Sequence, residues 1–474
     1  MFNFDFSYLT LPKKFYSITK PHFNSSPKIL LFNNKLSSNL NVKFKNNKHF
    51  IRSLFSDNNK CFAQAYAGHQ FGHFTNLGDG RAIIVGEHIT KSNTRFDIQL
   101  KGGGITKYSR NGDGKATLSS MIREYLFSEV MHYLNISTSR SLALFNTGDT
   151  VYRESRQQGS VLVRVMKSHI RIGTFEYASY FGSTEDLKKI TLYSLNRIYP
   201  DISKQKNPAL ALLNKVMNKQ IELVVDWMRV GFIHGVMNTD NTSISSESFD
   251  YGPCAFINAY NPEKVFSSID VHSRYSFGNQ PKIIKWNILR LAESLIPIIH
   301  KDKDKSIELA QAVVDNFDDN WKTKYYEMML KKIGFNKNEK TLYRLVDELL
   351  MLMKKFKMDY TNTFYFLNDN TSIKNQICYS KDFLEWKKKW ENTIKKRGNI
   401  AEAKKLMKEN NPFIIPRNHI IENVIEKAVD GNLKQLKEFL KIYSKPYNFK
   451  DGLEKYMMPS SIKFEESYQT FCGT

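Results

Sequence analysis

The stretch GFIHGVMNTDN at 231–241, followed by DYG at 250–252, constrains this chain more than any other. A protein-kinase catalytic loop reads H-R-D-L-x-x-x-N and is followed by D-F-G; the first Asp is the base, while the Asn and the second Asp hold metal. Aligned on that pattern, His234 meets the His, Asn241 the Asn and Asp250 the metal Asp. Val236 falls where the base belongs. The pattern predicts a kinase-shaped site without the kinase base. Asn241 and Asp250 offer oxygen ligands to Mg2+, which completes its shell with phosphates and waters. Asp240 adds a carboxylate beside them.

The order of elements upstream agrees. RAIIVGEHI and RFDIQLK are strand-like runs joined by the turn TKSNT, a hairpin pattern, and SVLVRVMKS is a further strand. Between them, in ATLSSMIREYLFSEVMHYL, the positions Met121, Ile122, Tyr125, Val130 and Leu134 fit one helical face, with Thr117 as N-cap and Asn135 as stop. Lys101 ends the second strand and Glu124 sits on the helix, the order of the kinase Lys–Glu pair; alone, these are also what a surface lysine and an unrelated carboxylate would look like. Residues 1–60 read as an extended lead-in, 61–180 as a small β-rich lobe and 181–474 as a mostly helical lobe with a C-terminal extension. Helices are expected near 285–298, 305–332, 339–356 and 419–442, and a hinge between about 170 and 190. The fold class expected is α+β, bilobal and kinase-like.

Several charged or glycine-rich stretches could serve this site. LGDGRA, with Gly78, Gly80 and Arg81, precedes a strand and reads either as a phosphate-approaching loop or as a plain β-turn. NGDGKA, with Asp113 and Gly114, precedes the helix; it is not a Walker A loop, because Ala116 follows Lys115 where Ser or Thr is needed. Asp79 and Asp113 would repel phosphate unless each faces a donor, a metal or the sugar. Arg164, inside VLVRVMK, and Arg171 are arginines in apolar company; each requires either an anionic ligand or a buried salt bridge. His69 and His73 have the spacing of helical zinc ligands, but the Glu of H-E-x-x-H is missing and neighbouring glycines disfavour a helix. Ser168-His169 shows no third partner in sequence, which gives hydrolysis little support.

The formal net charge of +23 invites a nucleic-acid or membrane reading. The lysines, however, are scattered among asparagines, as in NNKLSSNLNVKFKNNKH, with no aromatic–basic alternation and no finger or RNP signature. A generally basic surface is expected, with no specific nucleic-acid partner. No apolar run approaches the ~18 residues of a membrane helix, and the N-terminus has neither a signal core nor an Arg-rich presequence. Cys61, Cys254, Cys378 and Cys472 show no C-x-x-C or metal spacing, which suits a reduced, cytoplasmic protein.

Taken in order, AYAGHQFGHF, LGDGRA, QLKGGGITKYSRNGDGKA, SSMIREYL, VRVMKSHIRIGTFEY, GFIHGVMNTDN, DYGPCAF, NPFIIPRNHIIENVIEKAVDGN and SYQTFCGT resemble the selenoprotein O family over nearly the whole chain. The resemblance implies a pseudokinase fold that binds ATP in a flipped orientation and transfers AMP to Ser, Thr or Tyr hydroxyls of proteins. It implies ATP contacts from Gly78, Gly80, Arg81, Lys101, Asp113, Gly114, Arg164, Arg171 and Asp250, with Mg2+ (Mn2+ as alternative) on Asn241 and Asp250. It makes Asp240 the proton acceptor and Glu124 the partner of Lys101. The chain departs from the family at Lys115, where the resemblance predicts arginine. Cys472 stands where some relatives carry selenocysteine. A Cys254–Cys472 disulfide tethering the tail near the site is one expectation and two unpaired thiols the other. Rival functions are an ordinary kinase, against which Val236 speaks, and a non-catalytic nucleotide-binding scaffold, against which Lys101, Asn241 and Asp250 speak.

Overall fold

A computed structural model describes residues 1–23, 27–56, 60–368, 380–448 and 450–471. The described residues form an α+β molecule with a β-rich N-terminal part and a mostly helical C-terminal part. Its main sheet has nine strands. The path across it runs Tyr16–Ile18, Phe62–Gln64, Ala82–Ile89, Arg95–Lys101, Arg156–Met166, Arg140–Tyr152 and Lys28–Phe32, with antiparallel neighbours. The hairpin expected around TKSNT is present, in register from Ala82 opposite Lys101 to Ile89 opposite Arg95.

Side chains alternate across a strand, so each strand divides its residues between two environments. Ile98 and Leu100 join Ile83, Val85, Val161, Val163 and Val165 in an apolar cluster on one face. Their neighbours Asp97, Gln99, Lys101 and Arg164 are therefore delivered to the other face, toward the helical part. A one-residue slip would reverse every assignment, so burial of the apolar face fixes where the charges go.

Residues 1–60 are not the extended lead-in that their polarity suggests. They add strands to the sheet and two short helices, Asn34–Asn39 and Asn47–Leu54, whose Leu36, Phe50 and Leu54 cover the apolar face. Phe4 pairs opposite His88, and Gly86 leaves room for its ring: a Cβ there would stand 2.6 Å from Phe4 Cδ1.

The Leu118–Tyr133 helix starts on Thr117, whose hydroxyl accepts from Ser120 N, and the chain turns away at Asn135 with φ +60. The segment expected to be a hinge forms two helices, Ile172–Phe181 and Thr184–Ile198. The long Pro208–Val230 helix closes on Gly231 in the left-handed region (φ +76) and feeds directly into 232–241. Two expected helices are each broken in two: 305–332 into Lys303–Val314 and Phe317–Lys332, and 419–442 at Gly431 (φ +92) into Asn418–Val429 and Lys434–Ile442. None of the described helices is long and apolar enough to cross a membrane.

The C-terminal region is fastened by Arg417, 1% exposed. Its guanidinium donates to Asp359 (2.7 and 3.2 Å), Asn258 Oδ1 (2.8 Å) and Met457 O (2.7 Å), joining three segments far apart in sequence. Removing one member of a buried pair leaves the other charge uncompensated, a cost of roughly 3–5 kcal/mol. Arg417→Met should therefore lower the urea midpoint sharply, whereas Arg344→Ala, which breaks an exposed pair with Glu348, should leave it nearly unchanged. Equal midpoints for the two variants would contradict this account.

Candidate active site

Strand alternation brings Lys101 and Arg164 to the side of the sheet that faces the Glu124 helix. Lys101 Nζ donates to Glu124 Oε2 at 2.7 Å, and Arg164 Nε to Glu124 Oε1 at 2.8 Å. Both cations also reach one oxygen of Asp250, Oδ1: Arg164 Nη2 at 2.6 Å, and Lys101 by a shorter contact. Gln99, opposite Arg164 on the neighbouring strand, accepts a further bond at 3.1 Å. The result is a group of two cations and two carboxylates, with Lys101, Glu124 and Arg164 buried and Asp250 partly exposed to the cavity. Burial pushes both carboxyls up, but Arg164 and Lys101 outweigh it; Glu124 is held below its ordinary range and Asp250 well below it. Arg164 makes the buried salt bridge and also lines the cavity, where an anionic ligand can reach it.

Asp250 adopts φ +59, a left-handed conformation rare outside glycine. The turn is held in place by His234, whose Nε2 lies 3.0 Å from Phe249 O, and by Gly235 (φ +84), where a Cβ would meet Pro253 O at 2.2 Å. Gln280 accepts from His234 N at 3.1 Å, and Asn287 donates to Met237 O at 3.0 Å and to Thr242 Oγ1 at 2.9 Å. Helix side chains thus replace, one by one, the hydrogen bonds that an irregular buried loop would otherwise lack. Asn241 Nδ2 donates to Val236 O at 3.2 Å.

Asp240 is 7% exposed, and its Oδ1 is buried without a hydrogen-bond partner. Burial raises its carboxyl to about 6, against the opposing pull of Arg171. Two glycines make room for it. A Cβ at Gly68 would stand 2.6 Å from Asp240 Oδ1, and one at Gly173 would stand 1.9 Å from Ala67 O. Arg171 packs its guanidinium 4.0 Å above the Tyr66 ring, donates to Asp240 O (3.3 Å) and His169 O (3.1 Å), and pairs with Asp79 at 3.5 Å.

These groups surround a cavity of about 490 Å³, within the usual size of a small-molecule site. Its lining includes all of Gly78, Gly80, Arg81, Lys101, Asp113, Gly114, Glu124, Arg164, Arg171, Asp240, Asn241 and Asp250, together with Val236. Both uncertain Asp residues face donors: Asp79 accepts from Gln64 N (3.1 Å) besides Arg171, and Asp113 from Arg153 (2.9 and 3.1 Å) and Lys115 N (2.9 Å). Gly78 and Gly80 are required by packing against Tyr108, whose side chain would lie 2.4 Å from a Cβ at Gly78. Lys115 pairs with Asp149 at 3.3 Å.

Some lining residues escaped sequence reading. Arg153 reaches Asp113 from the end of the Arg140–Tyr152 strand, and Arg110 lines the same wall; neither sits in a motif with a chemical rationale of its own. His69 and His73 stand on facing strands of a small hairpin, Ala67–Gln70 with His73–Asn76, not on a helix. His69 Nδ1 lies 2.5 Å from Glu176, and no group of three or more His, Cys, Asp or Glu suited to a metal occurs among the described residues. His169 does have a third partner, Asp97 at 3.1 Å, but its Nε2 is buried without a bond, and Ser168 Oγ accepts from Ile170 N. Cys254 is fully buried, which pushes its thiol up to about 12. Cys378 and Cys472, and with Cys472 the expected tether, lie outside the described residues.

The donor set fits a hard divalent cation: the Asn241 side-chain amide and the Asp250 carboxylate, both residues of the cavity lining.

The family model described as protein adenylyltransferase SelO matches residues 1–444. The protein nucleotidyltransferase YdiU of Pelagibacter ubique is 48% identical over all of this chain and 99% of its own, and that of Bacillus cereus strain AH820 is 46% identical over all of this chain and 98% of its own. A solved structure of ROP2 from Toxoplasma gondii, described as a virulence factor with a protein-kinase fold and no enzymatic activity, aligns with 67% of this chain and 96% of its own at 9% identity and a TM-score of 0.26, a likeness too slight to carry an argument. On the full-length matches, the chain belongs to the protein adenylyltransferase SelO family.

Proposed function

We propose that this chain is a protein adenylyltransferase that moves AMP from ATP to Ser, Thr or Tyr hydroxyls of other proteins. The family's description and its relatives' names support nucleotidyl transfer. The observation that carries the reading is the exchange of carboxylates in the loop. Val236 lines the cavity where a kinase has its base, while Asp240, four residues on, presents a buried oxygen with no partner.

In the reaction the acceptor oxygen bonds to the α-phosphorus, the bond from that phosphorus to the bridging oxygen breaks, and pyrophosphate leaves. The hydroxyl proton passes to Asp240, whose carboxyl is placed near neutrality by burial and so can accept it and return it to solvent. Lys101, Arg81, Arg110 and Arg153 bring positive charge to the cavity wall, where the phosphates and the leaving pyrophosphate are stabilised. Arg164 and Arg171 act one step back: Arg164 fixes Glu124 and Asp250, and Arg171 fixes the backbone of Asp240. Asn241 and Asp250 are the residues that would hold Mg2+ or Mn2+, and when bound the metal neutralises phosphate charge. Most of the rate enhancement then comes from positioning and preorganised charge, which a missing kinase base does not remove. The use of ATP as donor supports a cytoplasmic location.

Incubation with ATP labelled at either the α- or the γ-phosphate tests the reading. Protein should take label from α only, with pyrophosphate released. Label from γ alone would establish a kinase, and label from neither, with ATP still bound, a scaffold.

Asp250→Ala should reduce transfer at least about 100-fold while the thermal midpoint reports whether the fold survives; near-normal transfer would remove Asp250 from the site. Gly68→Ala should lower turnover about tenfold or more with ATP affinity retained, because the added methyl displaces the Asp240 carboxylate and each 1.4 kcal/mol of misplacement is a factor of ten. Unchanged turnover in that variant would show that Asp240 does not need its present position.

A further inference from the structure

If the cavity transfers a group to other proteins, a polypeptide must reach its mouth, and one side of that mouth has an unusual surface. Phe71 and Asn238 line the cavity there. Tyr275 connects both: its ring lies 5.2 Å from Phe71, and its hydroxyl donates to Asn238 Oδ1 at 2.5 Å, two residues before Asp240. The next residue, Arg274, carries its guanidinium 4.8 Å from the Trp286 ring centre, and Arg290 stands 5.0 Å from the same ring. Beyond Trp286 the aromatic contacts continue. His69 meets it edge-on at 5.3 Å, Phe74 meets His69 at 5.4 Å, and Phe74 stacks on Tyr180 at 4.4 Å. Tyr180 is 73% exposed.

The two arginines are incompletely satisfied. The Nε atoms of both are buried without a hydrogen-bond partner. Arg290 pairs with Glu293 at 2.6 Å; among the described residues no ion pair is made by the Arg274 guanidinium. A guanidinium already stacked on an indole loses little freedom on binding and presents a fork suited to a carboxylate. A run of half-buried aromatic rings that ends on the exposed Tyr180 and is continuous with such a pair has the make-up of a binding hot spot.

We infer that this surface docks an acidic segment of the protein substrate beside its acceptor hydroxyl, with carboxylates on Arg274 and Arg290 and the peptide lying along the ridge of Phe74 and Tyr180. The inference rests on the adenylyltransferase reading for its reason to bind a polypeptide at this mouth. Charge complementarity selects the acidic class: Arg274, next to Tyr275 and without an ion pair among the described residues, repels basic segments on a chain of net charge +23.

Fluorescent peptides with one Ser flanked by Glu, by Ala or by Lys, titrated into the full-length protein without ATP, test it. The Glu peptide should bind about tenfold tighter than the Ala peptide, and Arg274→Ala should abolish that preference. Arg274→Lys should keep part of it, and ATP affinity should be unchanged in both variants, which also shows that they are folded. Equal affinity for the three peptides, or a Glu-peptide Kd unmoved by Arg274→Ala, overturns the inference. So does loss of ATP affinity with peptide affinity intact, which would assign the arginines to the nucleotide, and so does a single-stranded oligonucleotide that displaces the Glu peptide more effectively than unlabelled peptide. A Glu peptide that binds as expected but takes no label from α-labelled ATP would uphold the docking surface and sink the adenylyltransferase reading instead.

Discussion

The charged group of Lys101, Arg164, Glu124 and Asp250 is the constraint around which the rest of the structure is arranged. Burying Lys101, Arg164 and Glu124 is costly unless each finds a partner of opposite sign at hydrogen-bond distance, and the partly exposed Asp250 completes the set. Here Glu124 takes both cations, one per oxygen, and Asp250 takes both on a single oxygen. The strand pairing, the helix and the loop after 241 must all be in place for the group to be neutral. It therefore adds an electrostatic link between the β-rich and helical parts to the apolar packing of Phe62, Ile84, Leu144 and Leu162 against the helices on the same side of the sheet. A half-assembled version, with any member missing, leaves a buried ion, and that penalty makes the assembled geometry specific.

Around this group, close approach is obtained with glycine and loop order with side-chain amides. Gly68 and Gly173 let the hairpin and the Ile172–Phe181 helix press against Asp240, and Gln280 and Asn287 hold the loop from behind. The same logic explains why the glycines of LGDGRA are needed for contact with Tyr108. A glycine-rich motif read from sequence suggests a ligand; in this fold each of those glycines first serves a neighbouring segment, and the cavity inherits its shape from the packing.

How far the sequence revealed this depends on the range of each interaction. The hairpin, the Thr117-capped helix and the order Lys101, Glu124, Asn241, Asp250 are local patterns or motif order, and they were legible. Arg164 was left between two uses because the choice depends on Glu124 and Asp250, distant in sequence. Arg153 was invisible because its partner Asp113 lies across two strands. The N-terminal sixty residues were misread because their polar average hid a short alternation, FNFDF, in which Phe4 meets Gly86, and because two small helices contribute only a few apolar residues each to the cover of the sheet. The helix breaks at 315–316 and Gly431 follow from local signals, one of them a plain glycine, that a periodicity count averages away.

On the proposed reading, a site can lack the kinase base and keep a reaction. The four-charge group, the Asn241 amide and the cations of the cavity wall act on phosphate as such, and none of them specifies which phosphorus meets the acceptor. What specifies it is where an acceptor and a proton-accepting oxygen can meet. With Val236 at the third position of the loop, a carboxylate oxygen without a partner belongs to Asp240, in a cavity that Phe71 and Asn238 also line. On the proposed reading, moving the base four residues along the loop moves the point of attack relative to Asn241 and Asp250, while the charges proposed to stabilise the phosphates stay where they were. The chemistry can then change without any rebuilding of the electrostatic core.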